Sequence, residues 1–166
     1  MPYPEALVFP MREELTRLGF SELRTMVDVD EAFDAAEEGT TLLVINSVCG
    51  CAAANARPAA AMAMQAPSQP DRYLTVFAGQ DLEATAHTRE FLRGIPPSSP
   101  FMVLLKDGDP VFLLERRHIE GRSANAIAMD LVNAYTKYCG TDAVAADGPE
   151  MPDVSSAVPP TFRSFR

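Results

Sequence analysis

The sequence predicts an α/β fold with a mixed central sheet flanked by helices. Two observations support it: helical and strand patterns alternate along the first 140 residues, and an Asp-Gly turn joins the last two apolar runs. Strand–helix–strand units require right-handed parallel crossovers, whereas a closing hairpin adds antiparallel strands. The expected order is therefore an extra N-terminal helix followed by strand, helix, strand, helix, strand, helix, hairpin and helix.

The first half of the chain alternates amphipathic helices with short strands. Pro10 suits a first helical turn and Gly19 a helix end, while acidic residues open the second helix and Gly39 follows it. The continuous apolar run at 41–45 is typical of a strand buried on both faces of a sheet. The predicted elements are a helix at 10–18, a weak strand at 22–26, a helix at 28–38 and a strand at 41–45.

The second half begins with an alanine-rich helix at 52–66, which Pro58 should kink. Asp81 is placed to cap a later helix. The remaining predicted elements are a strand at 73–78, a helix at 81–92, hairpin strands at 101–105 and 111–114, and a last helix at 123–139. Residues 141–166 contain four prolines and no Leu or Ile, so residues 1–140 are predicted to form one domain and 141–166 a flexible tail.

Composition limits the classes of function. The 166 residues carry 14 basic and 23 acidic side chains, a net charge of −9, which argues against nucleic acid as a partner. No apolar run approaches the roughly 20 residues that cross a bilayer, so no membrane partner is expected. The N-terminus has neither a basic nor an apolar leader segment, and three cysteines do not suggest a secreted disulfide framework. We therefore expect a cytoplasmic protein.

Cys49 and Cys51, separated by Gly50, fall where the buried strand gives way to a helix. Free backbone N–H groups and the positive end of the helix dipole favour a thiolate at Cys49, which would then attack disulfides as a nucleophile. Cys51 is close enough to resolve the mixed disulfide that forms. Gly50 tolerates the backbone angles that a tight disulfide ring between Cys49 and Cys51 needs. Such a ring stores strain and is easily reduced, so we expect a relatively oxidising couple. The pattern predicts a catalytic dithiol that needs neither a metal nor a cofactor.

Other interpretations of these cysteines stay open. A non-catalytic protein could use Cys49 and Cys51 as soft metal ligands, with Cys139 and His118 completing the site, although the ligand spacing does not favour zinc. Both cysteines could instead be small core residues. A cysteine hydrolase would need a histidine, but His87 and His118 are both interpreted as solvated surface residues.

Two further positions are candidates for supporting roles. Arg57 lies on the helix after the dithiol, and its charge could favour a thiolate or hold a carboxylate-bearing thiol ligand. A solvated helix arginine is the preferred interpretation. Ser99 could pair through its backbone with an extended client strand, or it could be a loop residue between prolines. The basic triplet at 116–118 is interpreted as an exposed surface.

Several stretches of the chain resemble the bacilliredoxin family, the Cys-Gly-Cys thioredoxin-like proteins of bacteria that make bacillithiol. Together they span about residues 7–139 and leave the tail outside the resemblance. The stretches are Phe-Pro-Met-Arg-Glu-Glu-Leu at 9–15, Asn-Ser-Val-Cys-Gly-Cys-Ala-Ala at 46–53, Ala-Arg-Pro-Ala at 56–59, Phe-Ala-Gly-Gln-Asp at 77–81, Glu-Ala-Thr-Ala at 83–86, Pro-Ser-Ser-Pro at 97–100 and His-Ile-Glu-Gly at 118–121.

The resemblance implies a thioredoxin-like fold with an extra N-terminal helix, in which Pro100 is cis and shapes a client groove beside Cys49. It also implies removal of bacillithiol from mixed disulfides on client proteins, or isomerisation of disulfides. Cys49 would take the bacillithiol, and Cys51 or a second low-molecular-weight thiol would release it. The expected partners are therefore client proteins and bacillithiol as a thiol co-substrate. Unlike thioredoxins, the chain has no Trp, and Val48 precedes the first cysteine.

Overall fold

The computed structural model describes residues 1–140 and 148–154. In chain order its helices and strands are α1 (Glu5–Thr16), β1 (Ser21–Glu22), α2 (Met26–Ala35), β2 (Thr40–Asn46), α3 (Arg57–Ala63), β3 (Arg72–Phe77), α4 (Leu82–Glu90), β4 (Phe101–Lys106), β5 (Asp109–Leu114), α5 (Arg116–Ile119) and α6 (Ala124–Tyr138). The strands form one mixed sheet in the order β1-β3-β2-β4-β5. The predicted α/β class and thioredoxin-like fold, with a flanked mixed sheet, are confirmed.

The register of the sheet decides which loops meet. Strand β2 pairs in parallel with β3 and antiparallel with β4, and β4 forms a hairpin with β5. Ile45 pairs with Phe101, and Met102 pairs with Leu114. The carboxyl ends of β2 and β5 therefore lie beside the amino end of β4. We call this the dithiol end of the sheet, comprising residues 46–51, 98–100 and 115–116.

The core fills both faces of the sheet, with β2 between its two halves. Leu42 and Val44 belong to the half that includes α3 and α6, whereas Leu43 and Ile45 belong to the half that includes α2 and α4. Successive side chains of a strand point to opposite faces, so a strand of apolar residues is stable only when both faces are covered. Every residue of β2 is buried accordingly.

Helix α1 begins at Glu5, so the predicted start at Pro10 is wrong. Pro10 lies inside the helix on an exposed position. It removes one intrahelical N–H donor, but Val8, Arg12 and Leu15 are buried and hold the helix against the rest of the molecule. Tertiary packing of this kind outweighs the local preference of a single proline.

The predicted strand at 22–26 is too long, because α2 begins earlier than expected. The Thr25 hydroxyl accepts a hydrogen bond from the N–H of Asp28 (3.1 Å), and the Asp28 carboxylate accepts one from the N–H of Thr25 (2.9 Å). This reciprocal capping box satisfies two backbone donors at the helix start. Thr25 and Met26, which the sequence analysis assigned to the strand, therefore belong to the start of α2.

Part of the segment after α6 lies along the outer strand of the sheet. The N–H of Glu150 donates to the carbonyl of Val111, and the N–H of Leu113 donates to the carbonyl of Glu150, both at 2.9 Å. These bonds cover part of the edge of β5, where unpaired backbone groups would otherwise face solvent.

Of the predicted flexible tail at 141–166, residues 141–147 and 155–166 lie outside the described residues. In the part of the chain that the structure describes, no helix combines the length and apolar character that crossing a bilayer requires.

Candidate active site

The dithiol lies in the loop and first helical turn that follow β2. Cys49 precedes the first helical residues at 50–51, and a π-helical turn at Ala52–Ala56 then leads into α3. Pro58 has no N–H to donate to the carbonyl four residues before it, and the helix widens just ahead of that position. The interruption that the sequence predicts at Pro58 takes the form of this π turn.

Hydrogen-bond donors surround the sulfur of Cys49. The sulfur lies 3.1 Å from the hydroxyl oxygen of Ser47. The Cys51 thiol and the backbone N–H groups of Ala52 and Cys51 also point to it. Burial alone raises the pKa of the Cys49 thiol, but the hydrogen bonds from Cys51, Ser47 and the backbone outweigh it, so the pKa is lowered. The site stabilises a thiolate at Cys49.

The pKa of Cys51 moves in the opposite direction. Burial is the largest cause, followed by the hydrogen bond to Cys49 and the negative charge that develops there. Arg116 and the local backbone oppose the rise without cancelling it. Because the two sulfurs interact, ionisation of Cys49 makes ionisation of Cys51 harder. When the pair loses one proton, that proton therefore comes from Cys49, and Cys51 keeps its own.

A buried arginine holds the loop between β2 and Cys49. Arg57 is 3% exposed, and its Nη1 donates to Asn46 Oδ1 and to the carbonyl of Ser47, each at 2.9 Å. Its Nε pairs with the carboxylate of Glu14. Asn46 Oδ1 also accepts the N–H of Ser47 at 2.9 Å. The backbone of Ser47 is thus fixed on both its N–H and its carbonyl.

The preferred prediction for Arg57, a solvated helix arginine, is wrong. Its partners Glu14 and Asn46 are distant in sequence, so the direction of the side chain depends on how α1 packs. The guanidinium is committed to protein oxygens, which also leaves it unsuited to hold the carboxylate of a ligand.

Arg116, and not Arg57, is the arginine whose side chain is available at the dithiol end of the sheet. Its Nη1 donates to the carbonyl of Ser99 and its backbone N–H to Ser98 Oγ, each at 3.3 Å. The side chain is 46% exposed. The negative charges that develop on Cys51 and Cys49 raise the pKa of Arg116, and Glu120 adds to the effect. The prediction that residues 116–118 form an exposed surface holds for Arg116 and Arg117 and is wrong for the buried His118. It did not anticipate that Arg116 lies beside the dithiol.

The Ser99–Pro100 peptide bond is cis, the isomer that the sequence analysis predicts. Pro100 directly precedes Phe101, which pairs with Ile45 near the end of β2. Ser99 and Pro100 therefore lie at the dithiol end of the sheet. Their predicted roles toward a client remain predictions.

Gly50 is exposed, and a Cβ added there would meet no atom within 4 Å. Its backbone angles do not fall in the left-handed region. In the dithiol state, neither space nor backbone conformation requires a glycine at this position. The predicted need for Gly50 therefore concerns the disulfide ring.

Of the two histidines predicted to be solvated surface residues, His118 is buried, whereas His87 is a partly exposed residue of the surface. His118 is 1% exposed, and its Nδ1 accepts the N–H of Glu115 at 2.9 Å, which helps to start α5. Burial is the main cause that lowers the pKa of His118. His87 bridges Asp30 and Glu90, at 2.6 and 3.0 Å, beside the β4–β5 turn. Neither is arranged as a base for Cys49.

Cys139 belongs to the other end of the sheet. It is hydrogen bonded to Thr40 at the start of β2, and burial raises the pKa of its thiol. Strand β2 runs for seven residues from that point to the dithiol end, a span of about 20 Å. In the described residues, no three His, Cys, Asp or Glu side chains come together as a metal site. The alternative ligand set of Cys49, Cys51, Cys139 and His118 is therefore not assembled.

The residues that sequence reasoning missed are Ser47, Asn46, Glu14 and Arg116. A signal was present for three of them, since the matching stretches at 9–15 and 46–53 include them. Hydrogen-bonding side chains beside a reactive cysteine are candidates for controlling its pKa. The contacts that join these stretches exist only in the folded chain.

The thioredoxin-like fold and the paired sulfurs at its strand–helix junction are those of the thiol–disulfide redox class of proteins. The family model described as disulphide isomerase matches residues 3–139. Two bacilliredoxins of Salinibacter ruber are 63% and 55% identical over 169 and 171 residues, with 99% of each chain covered. A bacilliredoxin of Geobacillus kaustophilus is 50% identical over 139 residues, covering 83% of this chain and 95% of its own. The chain belongs to the bacilliredoxin family.

Proposed function

We propose that this protein uses Cys49 and Cys51 to remove bacillithiol from mixed disulfides on client proteins in the cytoplasm. The observation that carries the proposal is the geometry of the two sulfurs: Cys49 lies 3.1 Å from the Ser47 hydroxyl and accepts hydrogen bonds from Cys51 and the backbone. These contacts lower the pKa of Cys49, whereas burial and the charge on Cys49 raise that of Cys51. A thiolate attacks disulfides and a thiol does not, so the shifts assign different roles to the two sulfurs. Cys49 is the nucleophile and Cys51 is the resolving residue.

In the first step the Cys49 thiolate attacks the bacillithiol sulfur of the mixed disulfide. A Cys49–bacillithiol disulfide forms, the original disulfide breaks, and the client cysteine leaves as a thiolate that takes a proton from water. The client cysteine is thereby reduced, and the bacillithiol group is transferred to the sulfur of Cys49, which is now in a disulfide. No metal or cofactor enters this step.

In the second step Cys51 loses its proton and attacks the sulfur of Cys49. Bacillithiol leaves as a thiol, and a Cys49–Cys51 disulfide remains, which a later thiol reductant must return to the dithiol. Alternatively, a second bacillithiol attacks the adduct, regenerates Cys49 and leaves as bacillithiol disulfide. Attack of Cys49 on a disulfide within a client would start isomerisation instead, in keeping with the description of the matching family model.

Arg116 supports the choice of an anionic thiol as co-substrate. It is half-exposed at the dithiol end, and its charge is felt by both sulfurs. Bacillithiol carries carboxylates, which a guanidinium binds through two parallel hydrogen bonds. We assign this role to Arg116 instead of Arg57, while Ser99 and Pro100 would line the client groove.

Intact-protein mass after exposure to bacillithiol disulfide tests the assignment. We expect one stable bacillithiol adduct on Cys51→Ala and, on the wild type, mainly loss of two hydrogens as the internal disulfide forms. Cys49→Ala should form no adduct at this site, and Cys139→Ala should behave like the wild type. No adduct on reduced Cys51→Ala would reject the proposal. If the wild type purified without chelator then retained zinc and Cys49→Ala lost it, the result would favour a non-catalytic protein that binds a metal through its cysteines.

A further inference from the structure

The extra N-terminal helix contacts the two residues that hold the loop before Cys49, Asn46 at the end of β2 and Arg57 at the start of α3. Glu14 pairs with the buried guanidinium of Arg57, and the carbonyl of Met11 accepts a hydrogen bond from Asn46 Nδ2 at 3.2 Å. Both contacts end on groups that hold Ser47, which is 7% exposed. Helix α1 therefore supports the loop without touching either sulfur of the dithiol through a hydrogen bond in the described residues.

The hydroxyl of Ser47 is the part of this assembly that meets the reacting atom, at 3.1 Å from the sulfur of Cys49. A hydroxyl can donate or accept, but an ionised sulfur can only accept. Once Cys49 is a thiolate, Ser47 must be the donor, and this hydrogen bond stabilises the ionised form. Its strength depends on where the backbone of Ser47 is held.

We propose that Glu14, Arg57 and Asn46 are positioning residues that hold Ser47 as a hydrogen-bond donor to the Cys49 thiolate. The extra helix thereby sets the reactivity of the dithiol. Arg57 suits this task because one Nη donates to two oxygens of the loop while its Nε is anchored to α1. The inference deepens the proposed function and relies on it only for Cys49 as the nucleophile.

The sign of one substitution separates positioning from simple electrostatics. Glu14→Gln removes a negative charge and frees the positive charge of Arg57, so electrostatics alone would lower the pKa of Cys49. If Glu14 acts through Ser47, loosening Arg57 weakens the hydrogen bond to the thiolate and raises that pKa. The two explanations predict shifts in opposite directions.

The experiment measures the pKa of Cys49 from the pH dependence of its alkylation by iodoacetamide. Replacing Cys51 and Cys139 by alanine leaves Cys49 as the only thiol. In this background, Ser47→Ala should raise the pKa by about one unit, a tenfold loss of thiolate below both values. Glu14→Gln and Arg57→Lys should each raise it by about half a unit, since lysine keeps the charge but not the fork.

A double substitution then tests whether Glu14 acts through Ser47. In the Ser47→Ala protein, Glu14→Gln should produce no further rise, because the hydrogen bond it positions is already absent. Glu13→Gln is the matched control, since Glu13 lies on the same helix, carries the same charge and pairs with exposed Arg17 instead. It should leave the pKa of Cys49 unchanged. Circular dichroism and urea unfolding verify that each variant is folded.

A lower pKa in Glu14→Gln, or the same rise with and without Ser47, would overturn the positioning role. An unchanged pKa in Ser47→Ala would also overturn it. Since iodoacetamide needs no bacillithiol, these results are independent of the choice of co-substrate. Failure of the bacillithiol adduct with intact pKa shifts would reject the proposed function and leave the positioning role standing.

Discussion

Helix α1 carries one buried arginine, Arg12, and pairs with a second, Arg57, and the partners of the two differ. Arg12, which is 4% exposed, bonds to three carboxylates: Glu5 at 2.7 Å, Glu22 at 2.8 Å and Asp81 at 2.6 Å. These carboxylates come from α1, β1 and the start of α4. Every hydrogen bond of the Arg12 side chain within the described residues ends on one of them. Arg12 ties three elements together.

Arg57 has one carboxylate partner, Glu14, and two uncharged ones, the amide oxygen of Asn46 and the carbonyl of Ser47. A carbonyl balances a buried cation less well than a carboxylate does. In exchange, Arg57 fixes the backbone two residues before Cys49. The two arginines are almost equally buried, so their partners, and not their burial, distinguish them.

The largest expected effect comes from Arg12→Met, which removes the buried cation and leaves the three carboxylates with only the half-exposed guanidinium of Arg24 as a cationic partner, at 3.5 to 4.0 Å, among the described residues. We expect the free energy of unfolding to fall by about 3 kcal/mol, as when one partner of a buried ion pair is removed. Urea unfolding measures the loss. Arg17→Met, which breaks an exposed pair with Glu13, should cost less than about 0.5 kcal/mol. Equal losses in the two variants would contradict a stabilising role for Arg12.

A third arginine extends the comparison to ligand binding. Arg116→Gln should slow the reaction of Cys49 with bacillithiol disulfide about two- to fivefold, since a bound carboxylate loses an exposed ion pair. The rate with uncharged hydroxyethyl disulfide should change much less. Arg117→Gln, an exposed neighbour that pairs with Glu115, is the control. A parallel loss with both disulfides would assign Arg116 to the thiolate instead of the ligand.

Acid should reduce the stabilisation that the pair of Arg12 and Glu5 provides, and replacing Glu5 should remove this pH dependence. The hydrogen bond from Arg12 is the main cause that lowers the pKa of Glu5 below its ordinary value of 4.5. A carboxylate whose pKa is lowered in the folded state stabilises it above the unfolded pKa, and this stabilisation is lost as pH falls through the folded value. Between pH 6 and pH 3, the urea midpoint of the wild type should therefore fall more steeply than that of Glu5→Gln. Identical slopes would exclude the linkage.

The smallest effect on stability is expected at Gly50. Among the described residues, neither Arg12 nor Arg57 is hydrogen bonded to it. Gly50→Ala should leave the reduced protein as stable or up to about 1 kcal/mol more stable, because alanine favours a helical position and its Cβ has space. The internal disulfide should form less readily, since its ring loses backbone freedom. Urea unfolding of the reduced protein and a glutathione redox titration measure the two effects. Easier oxidation would show that glycine is not needed for the ring.

Strong periodic elements were predictable because their signals are local. The buried run of β2, the Asp-Gly hairpin and the last helix follow from hydrophobic period and turn chemistry. Helix α1 was misplaced at its start, because packing of Val8 and Arg12 overrides the preference of Pro10. The cysteine pair was predictable from its place at a strand–helix junction, whereas its supporting contacts were not.

By itself, the sequence determined the α/β class, the position of Cys49 and Cys51 after β2, and the kinship with bacilliredoxins, since each depends on neighbouring residues or on long matching stretches. Only the tertiary structure decided that Arg57 is buried against Glu14, that Ser47 faces the sulfur of Cys49 and that Arg116 is the cation beside the dithiol. The contact of Arg57 with Glu14 and that of Arg116 with Ser99 join residues 43 and 17 positions apart in the chain. Ser47 is close to Cys49 in sequence, but its backbone is held by the distant side chain of Arg57. The direction of these contacts is set by how α1 and the hairpin pack, which local preferences do not encode.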